Sequence, residues 1–320
     1  MTESAPAEPQ VHHLPASPST VRVGVIDPSA APVLSVRHGD EVVFSTWGHW
    51  GGHVTPQTRM TDFPEIRKNF PDALGPHSIT GPVEVEGAMP GDALSVEVID
   101  LVPTDHGFNL VVAAPNGRGV LRDRFRDGTI RHFELDRSTM TTVLAGRVSV
   151  PLRPFLGIMG VAPAEPGPRS SVQPGTFGGN IDLSELVVGT TLLLPVFRAG
   201  AGFYCGDAHA AQGDGEVNQT AIETAMERAQ LRFSLVKNAQ LTTPRAMTAT
   251  HRISLGFGDT LEEAAHGAVA DLVAWLTADG LSPDEAYSLC SIAADVKVTQ
   301  MVNGVVGVHA MLENFDTLAA

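Results

Sequence analysis

The sequence predicts an α+β fold dominated by β-sheet, with β-sandwich or jelly-roll-like and barrel-like sheets and a helix-containing C-terminal α+β portion. Short apolar runs separated by turn residues recur over most of the chain, as at residues 21–45. Helical spacing of apolar residues appears only late, between residues 259 and 293. We expect four segments: a flexible arm (1–18), a β-rich domain (19–150), a second β-rich domain with the main polar site (151–240), and the α+β portion (241–320).

Sequence patterns typical of strands occur in both halves of the chain. Residues 231–235 alternate apolar and polar side chains and predict a strand, although residues 217–236 are helix-like in composition. Two other runs, 83–86 and 94–99, flank a Pro-Gly-Asp turn sequence at residues 89–92. We therefore expect these two runs to pair as a β-hairpin.

Two helices are predicted near the C-terminus. Residues 259–263 resemble a capping box, and apolar residues from Leu261 onwards keep helical spacing until Gly280. A second helix should begin after Ser282, because a proline and then acidic residues follow it in the order typical of a helix start. The apolar face of this helix includes Cys290, which we interpret as a core residue.

Composition limits the class of protein. The chain has 320 residues, 43% of them hydrophobic, which is enough for a large core. Its 21 basic and 36 acidic residues give a net charge of −15 with no basic run, so neither nucleic acid nor a membrane is an expected partner. Its apolar runs are far shorter than the roughly 20 residues of a membrane span. Two cysteines and an N-terminus without a secretory pattern indicate a reduced, cytoplasmic protein.

The most informative stretch is residues 206–216, which holds three carboxylates, an imidazole and a carboxamide within eleven residues. Its three glycines allow tight bends and close approach to a ligand. Asp207, His209 and Glu216 are side chains that bind divalent ions or transfer protons. The alternative is a surface loop of hydrated acidic residues, since Gly and Asp are common in ordinary turns.

A second polar stretch lies upstream at residues 175–182. Asn180 and Asp182 are two residues apart, so their side chains would face the same side if that segment is extended. The apolar run at residues 192–197 could hold both polar stretches against a common core. The sequence thus suggests one composite site, with two unrelated turns as the alternative.

Residues 46–80 and 105–128 have little periodicity and are expected to be long loops. His49 and His53 lie in the first of them, close to Trp50. They could help to line a pocket, or they could be histidines of a polar loop with no functional role.

Several motifs together resemble the acetamidase/formamidase family, over roughly residues 20–312. Two positions depart from the pattern: Phe177 stands where relatives often have His, and Lys297 where Arg is usual. A changed ligand or a changed specificity could follow. The motifs that carry the resemblance are Thr80-Gly81-Pro82-Val83, Glu86 to Asp92, Pro154 to Pro163, Gly178-Gly179-Asn180-Ile181-Asp182, Gly206 to Glu216, and Ala293 to Gln300.

The resemblance implies hydrolysis of small carboxamides, such as formamide or acetamide, to a carboxylate and ammonia in a β-rich fold. It also implies a divalent metal, with zinc expected and calcium as the alternative. An ion site of carboxylates and imidazole suits this chemistry because it lowers the pKa of bound water. We assign the roles as hypotheses, with Asp182, Asp207 and His209 as metal ligands. Glu216 is the general base and then acid, Asp214 could exchange roles with it, and His209 is a further catalytic candidate. The substrate-binding groups are Asn180, Gln212 and, more weakly, His77.

Other readings stay open. Relatives that open lactams suggest a cyclic-amide hydrolase, and loss of turnover in this fold would leave a metal-stabilised binding protein. Cys205 could act as a nucleophile if a neighbouring imidazole activates it, although a packed core side chain suits its position better. Lys297 near Asp295 is a further minor candidate. A homodimer or a higher homo-oligomer is the default expectation for a soluble enzyme.

Overall fold

The computed structural model describes residues 8–315. Over this range the chain forms four α-helices, a 3-10 turn (Met60–Asp62) and 22 strands. The helices are α1 (His49–Gly52), α2 (Phe63–Lys68), α3 (Leu261–Ala278) and α4 (Pro283–Ala293). The strands are β1 (Val11–Leu14), β2 (Val21–Val23), β3 (Val25–Ile26), β4 (Leu34–Val36), β5 (Glu41–Phe44), β6 (Ser78–Val85), β7 (Ala93–Pro103), β8 (His106–Val111), β9 (Thr129–Glu134), β10 (Thr141–Leu144), β11 (Val148–Pro151), β12 (Phe155–Gly160), β13 (Arg169–Ser170), β14 (Gly178–Asn180), β15 (Thr191–Pro195), β16 (Phe203–Ala211), β17 (Ile222–Thr224), β18 (Met226–Val236), β19 (Arg245–Met247), β20 (His251–Gly258), β21 (Ala294–Gln300) and β22 (Val306–Glu313).

Two nine-stranded sheets dominate the architecture. The first, which we call the supporting sheet, has the order β1-β5-β18-β7-β15-β19-β20-β22-β21. The second, which we call the site sheet, has the order β14-β12-β16-β17-β8-β9, with β6 also paired to β16 and carrying β2 and β4. This strand-dominated architecture with late helices confirms the predicted fold class.

The two sheets share one apolar core. Alternate residues of β18, including Leu231 and Phe233, face this core because a strand presents every second side chain to the same side. Phe203 of β16 packs on Phe233 with ring centroids 5.0 Å apart and on Phe44 of β5 at 6.3 Å. Cys205 lies in the same core, fully buried, as its predicted packing role requires.

Both predicted helices are confirmed with their caps. The Thr260 side chain accepts from the backbone N–H of Glu263, and Ser282 and Glu285 form a reciprocal capping box. Gly280, at a φ of 111°, follows the end of α3. The two helices pack on β20 and β22 of the supporting sheet, and Cys290 is buried in that contact.

The predicted β-hairpin is wrong, although both of its strands exist. β6 pairs with β2, β4 and β16 in the site sheet, whereas β7 pairs with β15 and β18 in the supporting sheet. The intervening turn is held by Asp92, which accepts from the backbone N–H groups of Met89 and Asn238. Alternating apolar residues reveal a half-buried strand but not which of two packed sheets it joins.

The two expected loops are partly structured. The first contains α1, the 3-10 turn, α2 and the start of β6, and the second begins with β8. These elements are short, and α1 contains Trp50 at a φ of 54°, so they leave no helical periodicity in the sequence. Within the expected arm, Val11–Leu14 pairs in parallel with β5, while residues 1–7 lie outside the described range. No helix among the described residues has both the length and the apolarity to cross a membrane.

Candidate active site

Strand β16 changes partners at the residue that organises the site. Its first half pairs with β6 up to Gly206, and its second half pairs with β17 from Ala208 onwards. Asp207, between them, has a left-handed backbone with a φ of 51°, which is unusual for a residue with a side chain. The side chains of Asp207 and His209 therefore lie where three strands meet.

Three further residues complete this arrangement, and two of them, His49 and His77, are remote in sequence from Asp207. His49 of α1 places its Nε2 2.9 Å from Oδ1 of Asp207 and 3.3 Å from Oε2 of Glu223 on β17. His209 places its Nε2 3.1 Å from the same Glu223 oxygen and 3.6 Å from Oδ2 of Asp207. His77, just before β6, approaches Oδ2 of Asp207 at 3.6 Å. We call these five residues the ligand cluster.

The other edge of the His209 ring faces a different set of groups. Its Nδ1 lies 3.9 Å from Oδ1 of Asp182, and a carboxylate oxygen of Glu216 lies within 4.8 Å of both residues. The amide of Asn303 donates to Oδ2 of Asp182 at 2.6 Å. Asp182 and Glu216 also have positive φ angles, 51° and 46°. One imidazole thus separates the ligand cluster from a pair of carboxylates.

Gly157 leaves the space in which Asp182 and His209 meet. A Cβ at this position would lie 2.7 Å from Oδ1 of Asp182 and 2.7 Å from Cε1 of His209, closer than real contacts allow. Phe155, two residues earlier on β12, packs edge-on against His209 with centroids 5.0 Å apart. The strand therefore supplies both the gap and an apolar wall for this imidazole.

The site concentrates charge in a dry environment. Asp182, Asp207, Glu216 and Glu223 are each at most 6% exposed, and no Lys or Arg of residues 8–315 lies within 4.0 Å of their oxygens. Their cationic partners are histidines alone. Burying carboxylates without strong compensation is costly, so this arrangement favours the binding of a positive ion.

The pKa shifts reflect the same crowding. Burial lowers the pKa of His49, but Glu223 and Asp207 more than reverse this and raise it to about 10. Burial and the neighbouring carboxylates outweigh the histidines at Glu216 and raise its pKa to about 8. For His77 burial prevails and lowers the pKa to about 4. Strong shifts of this kind are common at functional sites.

The donor atoms of the ligand cluster fit a metal ion. Zinc binds nitrogen and oxygen at about 2.1 Å, which puts neighbouring ligand atoms about 3.0–3.4 Å apart for octahedral to tetrahedral geometry. The contacts of Asp207 and Glu223 with the three histidines span 2.9–3.6 Å. Oε2 of Glu223 and Nε2 of His209 are buried and lack hydrogen-bond partners within the described residues. An ion between them would satisfy both.

One known protein family matches most of this chain. The model of the acetamidase/formamidase family matches residues 26–171 and 164–314. The chain belongs to this family. Membership places it among the amidases, hydrolases that act on carbon–nitrogen bonds other than peptide bonds.

Solved members of the acetamidase/formamidase family share the fold. The acetamidase from Bacillus halodurans is 30% identical, with a TM-score of 0.84 over 94% of this chain and 97% of that one. The acetamidase from Yersinia enterocolitica is 31% identical, with a TM-score of 0.85 over 96% and 93%. Comparison of sequences alone adds the formamidase of Methylophilus methylotrophus, which is 24% identical over a match that covers 74% of this chain and 72% of that protein.

The structure brings most of the predicted site residues of this amidase together. His209 has Asp182 and Glu216 near it in one group and Asp207 in another, and His77 adjoins Asp207, with its Nδ1 2.8 Å from Oγ of Ser171. The assumption of an extended segment at residues 180–182 is wrong, because β14 ends at Asn180 and Asp182 is left-handed.

The two predicted amide-binding side chains lie beside Asp182. Nε2 of Gln212 donates to the backbone oxygen of Asp182 at 2.9 Å, and Nδ2 of Asn180 donates to that of Val172 at 3.2 Å. These bonds fix both amide orientations and leave Oε1 of Gln212 and Oδ1 of Asn180 buried without partners among the described residues. Two hydrogen-bond acceptors are thus available to a ligand.

Asp214 is the predicted site residue that lies apart. It is exposed, and its Oδ1 lies 3.3 Å from Oγ of Ser184, in a group with Glu185 and His309. Its role in catalysis stays a prediction. Sequence reasoning overlooked Glu223 and Asn303 altogether. A single acidic residue in the otherwise uncharged stretch Ala221–Ala225 was the available signal for Glu223.

Proposed function

We propose that this protein is a metal-dependent amidase that hydrolyses small carboxamides, such as formamide or acetamide, to the carboxylate and ammonia. The observation that carries the proposal is the ligand cluster of three histidines and two carboxylates beside the buried Glu216. Amide hydrolysis requires an activated water, a polarised carbonyl and a proton for the leaving nitrogen. The site holds groups suited to each requirement.

The ligand cluster would hold the ion. His49, His77 and His209, with Asp207 and Glu223, form a mixed nitrogen and oxygen set that suits zinc better than calcium, which prefers oxygen alone. When bound, such an ion polarises the amide carbonyl and lowers the pKa of water. Asp182, expected as a ligand, lies at the Nδ1 edge of His209. We assign it to the electrostatic stabilisation of that imidazole, because its Oδ1 lies 3.9 Å from Nδ1, beyond hydrogen-bond distance.

Glu216 is positioned to move protons. Its Oε2 is buried and has no hydrogen-bond partner among residues 8–315, and Asp182 and His209 each have a donor atom within 4.8 Å of its carboxylate. In hydrolysis it would take a proton from the attacking water and deliver it to the departing nitrogen. This use of one carboxylate as base and then acid needs no other titratable group.

The substrate amide would be recognised by its NH₂ group. The two N–H bonds of a primary carboxamide can donate to Oδ1 of Asn180 and Oε1 of Gln212, whose own amide nitrogens are already occupied. An ester or a carboxylate lacks these donors and would leave both buried acceptors unpaired, which costs binding energy.

The burial of the site supports a small substrate. The residues of the ligand cluster and Glu216 are at most 7% exposed, and Phe108 and Phe155 pack edge-on against His49 and His209. Such a closed site suits an acyl group of a few atoms. We place the enzyme in the cytoplasm and expect a homodimer or a higher homo-oligomer, which light scattering of the purified protein would measure.

The test is ammonia release from formamide, acetamide, longer aliphatic amides and aryl amides, with ring opening of a γ-lactam as a parallel assay. Metal-stripped protein is compared with the same sample reloaded with zinc or calcium. We expect turnover of the smallest amides that is lost on stripping and restored by zinc. Turnover that survives complete stripping would contradict metal dependence. Zinc-loaded protein that hydrolyses nothing would favour a binding protein, and ring opening alone would favour a lactam hydrolase.

A further inference from the structure

A second group of potential ligands lies outside the ligand cluster. Glu185, Asp214 and His309 each place one donor atom within 4.8 Å of the other two. They come from three parts of the chain: the loop after Asp182, the turn between β16 and β17, and strand β22. We call these three residues the second cluster. The amide mechanism described above uses none of them.

His309 provides the observation that points to a ligand. Its ring is fully buried, and Nδ1 lies 2.9 Å from Oγ1 of Thr299, which fixes the ring orientation. Its Nε2 has no hydrogen-bond partner among the described residues and faces Oε2 of Glu185 at 3.7 Å. A buried imidazole nitrogen without a partner loses hydrogen-bond energy unless a ligand satisfies it.

The two carboxylates are arranged around that nitrogen. Glu185 is 5% exposed and turns Oε1 towards Nζ of Lys297, 3.9 Å away, while Oε2 faces His309. Oγ of Ser184 lies 3.3 Å from both Oε2 of Glu185 and Oδ1 of Asp214. Lys297 therefore lies near one oxygen of Glu185, and within residues 8–315 the oxygen nearest the imidazole has no cationic partner except His309.

We propose that the second cluster binds a second divalent transition-metal ion through Nε2 of His309 and the carboxylates of Glu185 and Asp214. One imidazole and two carboxylates are a donor set typical of zinc or manganese. Asp214 is exposed, so an ion can reach the site from solvent.

This ion would fix the turn that carries Glu216. The backbone N–H of Gly215 donates to the oxygen of Thr299 at 3.1 Å, and that of Met301 donates to the oxygen of Gly215 at 3.3 Å. These bonds already attach the turn to the end of β21. A metal bridge from Asp214 to His309 would attach the same turn to β22 through a side chain. Asp214 lies only two residues before Glu216 in the chain.

The test counts bound zinc. Metal-stripped protein is dialysed against buffered zinc, and the zinc per chain is measured by inductively coupled plasma mass spectrometry. We expect two equivalents for the wild type, one for Asp214→Asn and one for Asp207→Asn, which removes a ligand of the first cluster. Asp295→Asn, at an exposed acidic residue of β21, is the matched control and should keep two. Lys297→Gln should lower the Kd of the second equivalent several-fold, because it removes a competing cation.

A thermal measurement separates folding from binding. In the Asp207→Asn background, zinc should raise the Tm, and this shift should disappear when Asp214→Asn is added. Equal zinc content in wild type and Asp214→Asn would overturn the second site. A single equivalent lost only in Asp207→Asn would also overturn it while leaving the proposed amidase metal intact. A single equivalent lost only in Asp214→Asn would support the second site and contradict the first.

Discussion

The region around the ligand cluster contrasts with the C-terminal layer, by which we mean residues 245–313 with β19–β22, α3 and α4. Both are well buried, but they differ in backbone strain and in the number of buried polar atoms that lack hydrogen-bond partners. From Arg245 to Glu313 no residue other than glycine has a positive φ, whereas Asp182, Asp207 and Glu216 all do. In that C-terminal range His309 has the only buried side-chain atom without a hydrogen-bond partner.

The site region holds most of the other buried polar atoms of the described chain that lack partners. They belong to His49, Asn180, Asp182, His209, Gln212, Glu216 and Glu223. Strain and unpaired polar atoms cost stability, and proteins retain them mainly where function requires them. The comparison therefore assigns chemistry to the site region and stability to the C-terminal layer.

The largest effect is expected from Glu216→Gln, which keeps the shape of the side chain but removes its ability to transfer protons. The rate of ammonia release should fall about 10²- to 10⁴-fold. The Tm should stay near that of the wild type, because the substitution preserves the packing of the side chain, and a pKa of about 8 leaves Glu216 mostly uncharged at pH 7. Asp295→Asn, at an exposed acidic residue of β21, serves as the control and should keep its activity. Full activity of Glu216→Gln would contradict its assignment as the general base.

Leu272→Ala tests the other half of the comparison. Leu272 is fully buried between α3 and the supporting sheet, so removing its side chain should lower the free energy of unfolding by about 2–5 kcal/mol. Urea unfolding measures this loss. The kcat of the remaining folded protein should be unchanged. A large fall in kcat at a temperature where the variant is folded would show that the C-terminal layer contributes to more than stability.

Gly157→Ala addresses the space inside the site. The added methyl group would press on Asp182 and His209 and displace both side chains. We expect zinc affinity or activity to fall about 10- to 100-fold, as for other changes behind metal ligands. Gly213→Ala is the control, since a Cβ there meets no atom within 4 Å. Equal losses in both variants would point to a general effect of the substitution.

Asp40 shows how a buried carboxylate behaves when its partners are complete. Burial raises its pKa, but the backbone N–H groups of Arg37 and Gln10 and the ring of His12 outweigh burial and lower the pKa below 3.8. A carboxylate whose pKa is lower in the folded state than in the unfolded state stabilises the protein at pH values above the unfolded-state pKa. This stabilisation is lost as the pH falls through the folded-state pKa. Asp40→Asn should therefore cost about 1 kcal/mol at pH 7. That difference should shrink at pH 3, and a constant difference would contradict the assignment.

The sequence predicts local features of this chain well and long-range ones poorly. The capping residues Thr260 and Ser282 and the end of α3 near Gly280 follow from patterns within a few residues. Asp207, His209 and Glu216 were recognisable because one glycine-rich segment carries all three.

The missed features depend on pairing between distant segments. His49 meets Asp207 from 158 positions away, and Asn303 meets Asp182 from 121. Asp207 lies where β16 changes partners, and no local pattern encodes that change or the contact of Asn303 with Asp182. The same limit explains the wrong hairpin, in which two correctly predicted strands join different sheets.

The position of the metal tests the central claim most directly. Crystals of zinc-reloaded protein, measured at the zinc absorption edge, should show an anomalous peak between Nε2 of His49 and His209 and the carboxylates of Asp207 and Glu223. A peak at the opposite edge of His209, beside Asp182, or no peak at either edge of this imidazole, would contradict the account.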